Sequence, residues 1–526
     1  MKNIRMQWFV VLTVFVSLVS VFALSCSANA AVREAWVTTY NGGYGDNLYA
    51  MAKDSQGNIY FGGDVYYNNS NTHDASITKI NPAGTVLWTA KYSGGYTDTF
   101  MSIATDASGN VYGAGTSYVT GTYQYEMLVV KFDANGNQQW VAKHNIGSLE
   151  AMKIDASGNI FVSGFSYDIN TYALSIVMIK YDTNGNEIWA SSTPALDYGQ
   201  PYFYYSEIAF DSAGDAYLIA NGGSNQGVVS KYDASNGNVL WWQAVVTVGC
   251  PGIGVDSGNN VYVSGGGVTS KINPAGTLLW MQTYESQLSY YCPENDRVAV
   301  DAAGSVYVTG GSNVAGQNGW NEDFTTLKYD TNGNLLWVRT YDGGTNNFDR
   351  SNDLKMDSYG NIFVTGEGSD VVTGEYYLAT IKYDTNGVQQ WVMRYTKPDT
   401  WLGGPFLEVD SSGSAYVVGY DYSMTQNAGW DNVVIKYSEG PSSIADIIST
   451  INDFLNNGKI KNSGIANALI HLLQNAKANM ASSPGSAKNM LEAALKIVAA
   501  QNGKGISADA ATDLTSYIQA IINTIN

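Results

Sequence analysis

Apolar residues along most of the chain fall into short runs that alternate with polar positions and stop at Gly, Asn and Asp, the pattern of short β-strands joined by turns. Glu34-Ala-Trp-Val-Thr-Thr-Tyr40 reads as a strand and Asn41-Gly-Gly-Tyr-Gly as a loop, like the end of a unit without its beginning. From there one unit recurs. Each copy opens with an apolar strand ending in Asp and a turn, as in Asp54-Ser-Gln-Gly-Asn-Ile-Tyr60. Further copies begin at Asp106, Asp155, Asp211, Asp256, Asp301, Asp357 and Asp410, which makes eight at spacings of 45 to 56 residues.

Within a copy the second strand has the form Ile362-Phe-Val-Thr-Gly366, and a loop of variable length leads to a third strand ending in Lys. The lysines are Lys79, Lys131, Lys180, Lys231, Lys271, Lys328, Lys382 and Lys436. A Gly turn such as Asp384-Thr-Asn-Gly387 precedes a fourth strand carrying Trp88, Trp140, Trp189, Trp241, Trp280, Trp337 or Trp391. The eighth copy stops at Lys436-Tyr-Ser-Glu-Gly440 without a fourth strand, and Trp36 supplies the missing context at the start of the chain. Four-stranded units at this period predict a β-propeller. Lending the N-terminal strand to the last unit closes the ring and removes a free sheet edge. The expected fold is all-β, an eight-bladed propeller over residues 31–440, followed by a small all-α domain over 441–526.

Turn chemistry agrees with this reading. In Asp-x-x-Gly-Asn the Asp side chain accepts a backbone N–H two residues on, while Gly takes the left-handed position. In the fifth copy, Asp256-Ser-Gly-Asn-Asn260 places Asn259 there, and Asn is the next residue to tolerate it.

The repeated Asp-x-x-Gly-Asn-x-Tyr/Phe-x-x-Gly and Lys-Tyr-Asp-x-x-Gly-x-x-x-Trp patterns, from about residue 34 to 438, resemble the SBBP-type β-propeller repeat of exported bacterial and archaeal proteins. That resemblance implies the fold and export; it names no ligand. The Asp-x-x-Gly-x-x-x-Trp phase is also similar to the tryptophan docking motif of quinoprotein dehydrogenases, which are eight-bladed and bind pyrroloquinoline quinone. Many of them carry adjacent cysteines there, a pair this chain lacks. Each Trp is therefore read as a wedge between blades.

After Pro441, Ala, Ile, Asn and Lys replace Tyr, Gly and Trp. Ile444, Ile447, Ile448, Ile451 and Leu455 have helical spacing, Ser463 precedes a second helix, Ser483-Pro484 starts a third, and Ser507 is placed as the cap of a fourth.

Composition adds compartment. Lys2 and Arg5 precede an apolar run from Trp8 to Leu24 and then Ser25-Cys-Ser-Ala-Asn-Ala30, a secretory signal peptide over residues 1–30. Cleavage before Ala31 is the first choice; a lipid anchor at Cys26 and a retained helix are the rivals. No other stretch is apolar enough to span a bilayer, so no membrane span is expected after cleavage. The extracellular space or cell surface, or else the periplasm, is the expected destination. Formal net charge is −19, about −21 once the leader takes Lys2 and Arg5 away, which disfavours nucleic acid. Cys250 and Cys292 then remain, in the connections before the fifth and sixth copies, and are expected to form a disulfide.

Propeller geometry puts the short uniform turns on one face and the variable loops on the other. Aromatic residues on the variable side, Trp320, Trp401, Trp430, Phe203 and Tyr290, suit stacking on sugars or anchoring a protein. Acids on that side, Asp46, Asp98 and Asp349 in blade connections and Asp74, Asp323 and Asp431 before third-strand lysines, suit Ca²⁺ if they cluster. No other cofactor is expected. His73, His144 and His471 are the only histidines, and HExxH, GxSxG and CxxC are absent, which disfavours zinc and Ser-His-Asp chemistry. The expected function is non-enzymatic binding of a cell-surface glycan or protein, with attachment or assembly through the helical tail. A propeller enzyme, quinoprotein-like or glycan-cleaving, and a purely structural envelope protein are the alternatives.

Overall fold

The computed structural model describes residues 32–43, 45–66, 72–95, 97–119, 124–167, 174–194, 204–222, 226–246, 251–284, 298–313, 322–344, 348–370, 372–423, 429–440, 444–456 and 458–525. The leader with Cys26, and with it Phe203, Cys250, Tyr290, Cys292 and Trp320, lie outside these residues. The chain divides into two units, Val32–Glu439 and the region from Gly440 onward.

Val32–Glu439 is an eight-bladed propeller of four-stranded antiparallel blades. Blades 2 and 3 share one strand, Gln138–Ile154, whose first half pairs with Gln124–Phe132 and second half with Ile160–Tyr167. Blade 8 is composite. Its first three strands are Thr400–Val409, Ala415–Ser423 and Trp430–Glu439, and its fourth is Val32–Tyr40, in register from Val32 opposite Glu439 to Tyr40 opposite Asn432. The ring is thus closed by the strand that carries Trp36.

Each blade is apolar on both faces because it packs between two neighbours. Second strands are buried along most of their length, as in Ile362–Ser369, and there do not alternate. Blade 1 contributes Tyr60, Ile77 and Ala90 and blade 2 contributes Phe100, Ile103 and Leu128 to one cluster. Leu48, Ile59 and Phe61 of blade 1 meet Phe406, Tyr416 and Val418 of blade 8 in another.

The first-to-second turns have the expected chemistry. Asp54 Oδ1 accepts the N–H groups of Gln56 (3.0 Å) and Asn58 (2.8 Å), and Gly57 has φ +81°. Asn259 takes the same conformation, with φ +63°.

A second device locks blade to blade. Trp88 Nε1 and Lys79 Nζ both donate to the Ala134 carbonyl in the next blade's third-to-fourth turn, at 3.1 and 3.2 Å. Gly136 in that turn, φ +84°, lies against the indole; a Cβ there would be 2.9 Å from Trp88 Cδ2. The indole bond recurs from Trp36 to Pro82, Trp140 to Thr183, Trp189 to Ala234, Trp241 to Pro274, Trp280 to Thr331 and Trp337 to Thr385. The tryptophans are inter-blade wedges with a fixed acceptor.

The C-terminal unit has four helices, α1 (Ile444–Asn456), α2 (Ser463–Asn479), α3 (Pro484–Gln501) and α4 (Ala508–Thr524). One core joins Ile447, Ile451, Leu469, Leu473, Leu491, Val498, Leu514 and Ile518. Ser463, expected to precede α2, is its first residue; Asn462 is the cap, its Oδ1 accepting the Gly464 N–H at 2.6 Å. Ser507 holds the N-cap position of α4, but its hydroxyl makes no capping bond. Among the described residues no helix is long and apolar enough to cross a membrane.

Candidate functional site

On the turn face the charges are spent within the fold. Lys231 lies 2.9 Å from Asp211 and over the Tyr217 ring at 5.2 Å, and Lys79, Lys180, Lys271 and Lys328 sit near Asp54, Asp155, Asp256 and Asp301 at 3.6 to 3.9 Å. At these five joints lysine and aspartate neutralise each other.

On the opposite face, blade 8 gathers aromatic rings. Trp401 stands opposite Tyr422, and Tyr422 opposite Trp430, so three adjacent strands present one row. Ring centroids are 5.6 Å apart for Trp401 and Trp430, 4.8 Å for Tyr422 and Trp430, and 4.9 Å for Tyr420 and Trp430. Tyr376 of blade 7 extends the row, 5.9 Å from Trp401, with Phe348 a further 6.4 Å on. These are contact distances for aromatic rings, so nothing fits between them. The arrangement is a platform rather than a cage, and Trp401, 39% exposed, offers it to solvent.

Glu367 sets this platform. Its buried carboxylate lies 3.1 Å from Arg350 Nε and accepts the Gly404 N–H at 2.8 Å, holding the irregular stretch between Gly403 and Phe406 that follows Trp401. Burial pushes the Glu367 carboxyl up, against the pull of Arg350. Trp401 and Trp430, expected on the side of the variable loops, are both in strands. Cross-strand packing on Tyr422 extends the ladder past the point where turn residues predicted its end. Tyr420, Tyr422 and Tyr376 were not singled out, although Tyr420 and Tyr422 share the two-residue spacing of one strand face.

The acids fall into more than one group, with Asp46 near enough to Asp431 to be raised by its charge. Asp46 and Asp98 cap blade connections, Asp46 accepting the Gly42 N–H at 2.5 Å and Asp98 those of Gly94 and Gly95 at 2.7 and 3.1 Å. Asp349 accepts the Gly343 N–H at 2.7 Å and the Tyr377 hydroxyl. Burial pushes Asp46 and Asp349 up to about 6. Asp431 is also raised to about 6, by burial and then by Asp421, which stands opposite it and pairs with Lys397. Asp74 follows His73, which lies 3.1 Å from buried Asp64. Among the described residues, one trio of carboxylates comes close enough to share a cation: Asp323, Asp342 and Asp349. Asp342 was missed by the sequence reading. The trio offers three oxygens where Ca²⁺ takes six to eight.

A cavity of about 370 Å³ runs along the axis, lined by the inner strands of blades 1 to 4, 7 and 8. Two of its carboxylates tie one blade to the next: Glu207 accepts the Ile253 N–H at 3.1 Å and Asp353 the Leu407 N–H at 2.8 Å. Glu150 has no such tie, and removal from bulk water pushes its carboxyl up to about 7.

Two family matches cover parts of the chain. Residues 444–523 match the FIMAH domain. Residues 225–375 match the repeat family described as outer membrane protein assembly factor BamB. The eight-bladed propeller thus contains one stretch similar to BamB repeats, and a stretch similar to the FIMAH domain follows it. No curated protein matches it at a significant level. Similar solved structures include the Dos1 propeller (11% identity, 77% of this chain and 96% of that one, TM-score 0.44). The Pan2 WD40 domain of Neurospora crassa is similar at 12% identity over 78% of this chain and 97% of that one, TM-score 0.41. A PL25 polysaccharide lyase, an ulvan lyase, is similar at 12% identity over 75% and 97%, TM-score 0.41.

Proposed function

We propose that the protein is an exported binding propeller of the SBBP type, whose variable face holds a cell-surface glycan or protein, with a neutral glycan as the best fit to the platform. The row built on Trp401, Tyr422 and Trp430 carries this reading. A flat, partly exposed indole backed by packed rings provides apolar contact for a sugar face, and the packing has already restricted its conformations. The net charge of −19 argues against anionic polymers. The FIMAH-like module serves attachment or assembly in this reading.

The test is titration of the mature protein with soluble neutral, cationic and anionic polysaccharides, with and without Ca²⁺. Trp401→Ala should weaken binding at least about tenfold with an unchanged unfolding midpoint, a loss in the range of a binding hot spot. Equal affinity for the variant and the parent would reject the platform. A Ca²⁺ requirement abolished by Asp323→Asn would assign the acidic trio to the same face.

A second reading, glycan cleavage in the axial cavity, is favoured by Glu150 alone, whose raised carboxyl suits a general acid. Such hydrolysis requires a second carboxylate, and two of those lining the cavity, Glu207 and Asp353, are engaged by backbone N–H groups. Release of reducing ends, lost in Glu150→Gln, would establish that reading instead.

A further inference from the structure

The inner strands of blades 1, 2 and 3 each hold one residue more than the strands they pair with. Leu48 pairs with Gly63 and Ala50 with Gly62, skipping Tyr49. Phe100 pairs with Gly115 and Ser102 with Ala114, skipping Met101. Leu149 pairs with Gly164 and Ala151 with Ser163, skipping Glu150. All three skipped residues lie five positions before their turn aspartates, Asp54, Asp106 and Asp155, and so at one level of the ring. A bulge leaves its extra residue unpaired and re-aims its side chain. Tyr49, Met101 and Glu150 all line the axial cavity, and all are partly exposed although they belong to innermost strands.

Two of the three lysines lining this cavity, Lys153 and Lys355, stand beside carboxylates, and the third is Lys53. Lys153 lies 3.7 Å from Glu207, and Lys355 lies 4.0 Å from Asp353 and 3.9 Å from Glu408. Glu150 has the Ser148 hydroxyl beside it, and among the described residues no lysine or arginine pairs with it. A carboxyl set inside a protein without a counter-charge is costly to ionise unless a cation joins it.

We propose that this level of the axial cavity is a binding site for a small organic ammonium ion, with Glu150 as its counter-ion and Tyr49 and Met101 as its apolar wall. The donor set decides the class of cation. One carboxylate, a phenol ring and a thioether cannot supply the several oxygens that Ca²⁺ or Mg²⁺ needs. An alkylammonium needs one counter-charge and polarisable surface for its carbon atoms, which an aromatic ring and a Met side chain provide. The volume of about 370 Å³ holds a small amine with its remaining water.

Binding by this route carries a proton signature. The bound cation requires an ionised Glu150, so affinity falls as pH drops below about 7, approaching tenfold per pH unit. The other charged groups facing the cavity are Lys53 of blade 1, Lys153 of blade 3, Glu207 of blade 4, Asp353 and Lys355 of blade 7, and Glu408 of blade 8.

Calorimetric titration of the whole chain with choline, ethanolamine and putrescine tests the site, with the uncharged tert-butyl analogue of choline as control. At least one amine should bind at about pH 8, the analogue should not, and affinity should fall about tenfold or more at about pH 5.5. Glu150→Gln should bring the same loss at the higher pH. An independent readout on the unmodified protein is the methyl resonance of Met101, which should shift on adding the amine. Equal binding of the charged and uncharged probes, unchanged affinity in Glu150→Gln, or an unmoved Met101 methyl with no heat from any amine would each overturn the assignment.

Discussion

Trp391 donates its indole N–H to Oε1 of Glu439 at 2.5 Å, and Lys382 Nζ reaches the same oxygen at 2.6 Å. At the other joints the indole's acceptor is a carbonyl in the next blade's third-to-fourth turn. Blade 8 has no such turn, because its third and fourth strands come from opposite ends of the propeller. A side chain therefore stands in for the missing backbone acceptor. Glu439→Ala strands both donors and should lower the unfolding free energy by about 1–3 kcal/mol, while Glu439→Gln, which keeps an acceptor, should cost less. Chemical denaturation of the three proteins checks this. Equal midpoints would show that the joint does not need the carboxylate.

The turn glycines separate two costs that usually arrive together. Gly214 has φ +87° with nothing near its missing Cβ, whereas Gly136 has φ +84° and the Trp88 ring 2.9 Å away. Gly214→Ala should cost only the left-handed conformation, about 1–2 kcal/mol. Gly136→Ala adds overpacking, a further 1–3 kcal/mol or so. Denaturation midpoints of the two variants should rank in that order.

In the aromatic row, Trp401 and Trp430 touch one another and share Tyr420 as a neighbour. A double-mutant cycle with Trp401→Ala and Trp430→Ala should give a coupling of about 0.5–1.5 kcal/mol in ligand affinity. Additive losses would mean that the rings act as separate contacts.

Asp46 and Asp349 predict an unusual pH dependence. Burial raises both carboxyls to about 6 from ordinary values of 3.8, so the folded chain holds these protons more tightly than the unfolded one. The stability they contribute is fully present below about pH 3.8 and is lost as pH rises through about 6. Each group is worth at most about 3 kcal/mol by that difference. Between about pH 4 and 7 the urea midpoint should fall, and Asp46→Asn should flatten the slope. A slope identical to the parent's would place the Asp46 carboxyl at its ordinary value.

The blades were legible because one interlock repeats: Lys, Gly and Trp recur at fixed offsets, and a left-over Trp36 strand answers a missing one. The platform was legible only in part. Trp401 and Trp430 stand out by type, but their meeting depends on the register of Tyr422 between them, and register across a variable loop leaves no mark in composition. Glu150 was hidden for a similar reason. A bulge slips the alternation by one residue, so a carboxyl in an apolar strand resembles an ordinary outward position until the ladder is seen. Asp46 and Asp98 have a structural task that their spacing did not announce, since each holds backbone N–H of its own Gly-Gly loop through one carboxylate oxygen.

Ring closure also decides how the propeller responds to force. Val32 is opposite Glu439 at one end of the closing ladder, and Tyr40 opposite Asn432 at the other. Tension between the residues before Val32 and those after Glu439 therefore loads a single pair at a time, in the manner of a zip rather than in shear. The ring would open pair by pair from Val32, and the first strand to leave would be the one that carries Trp36.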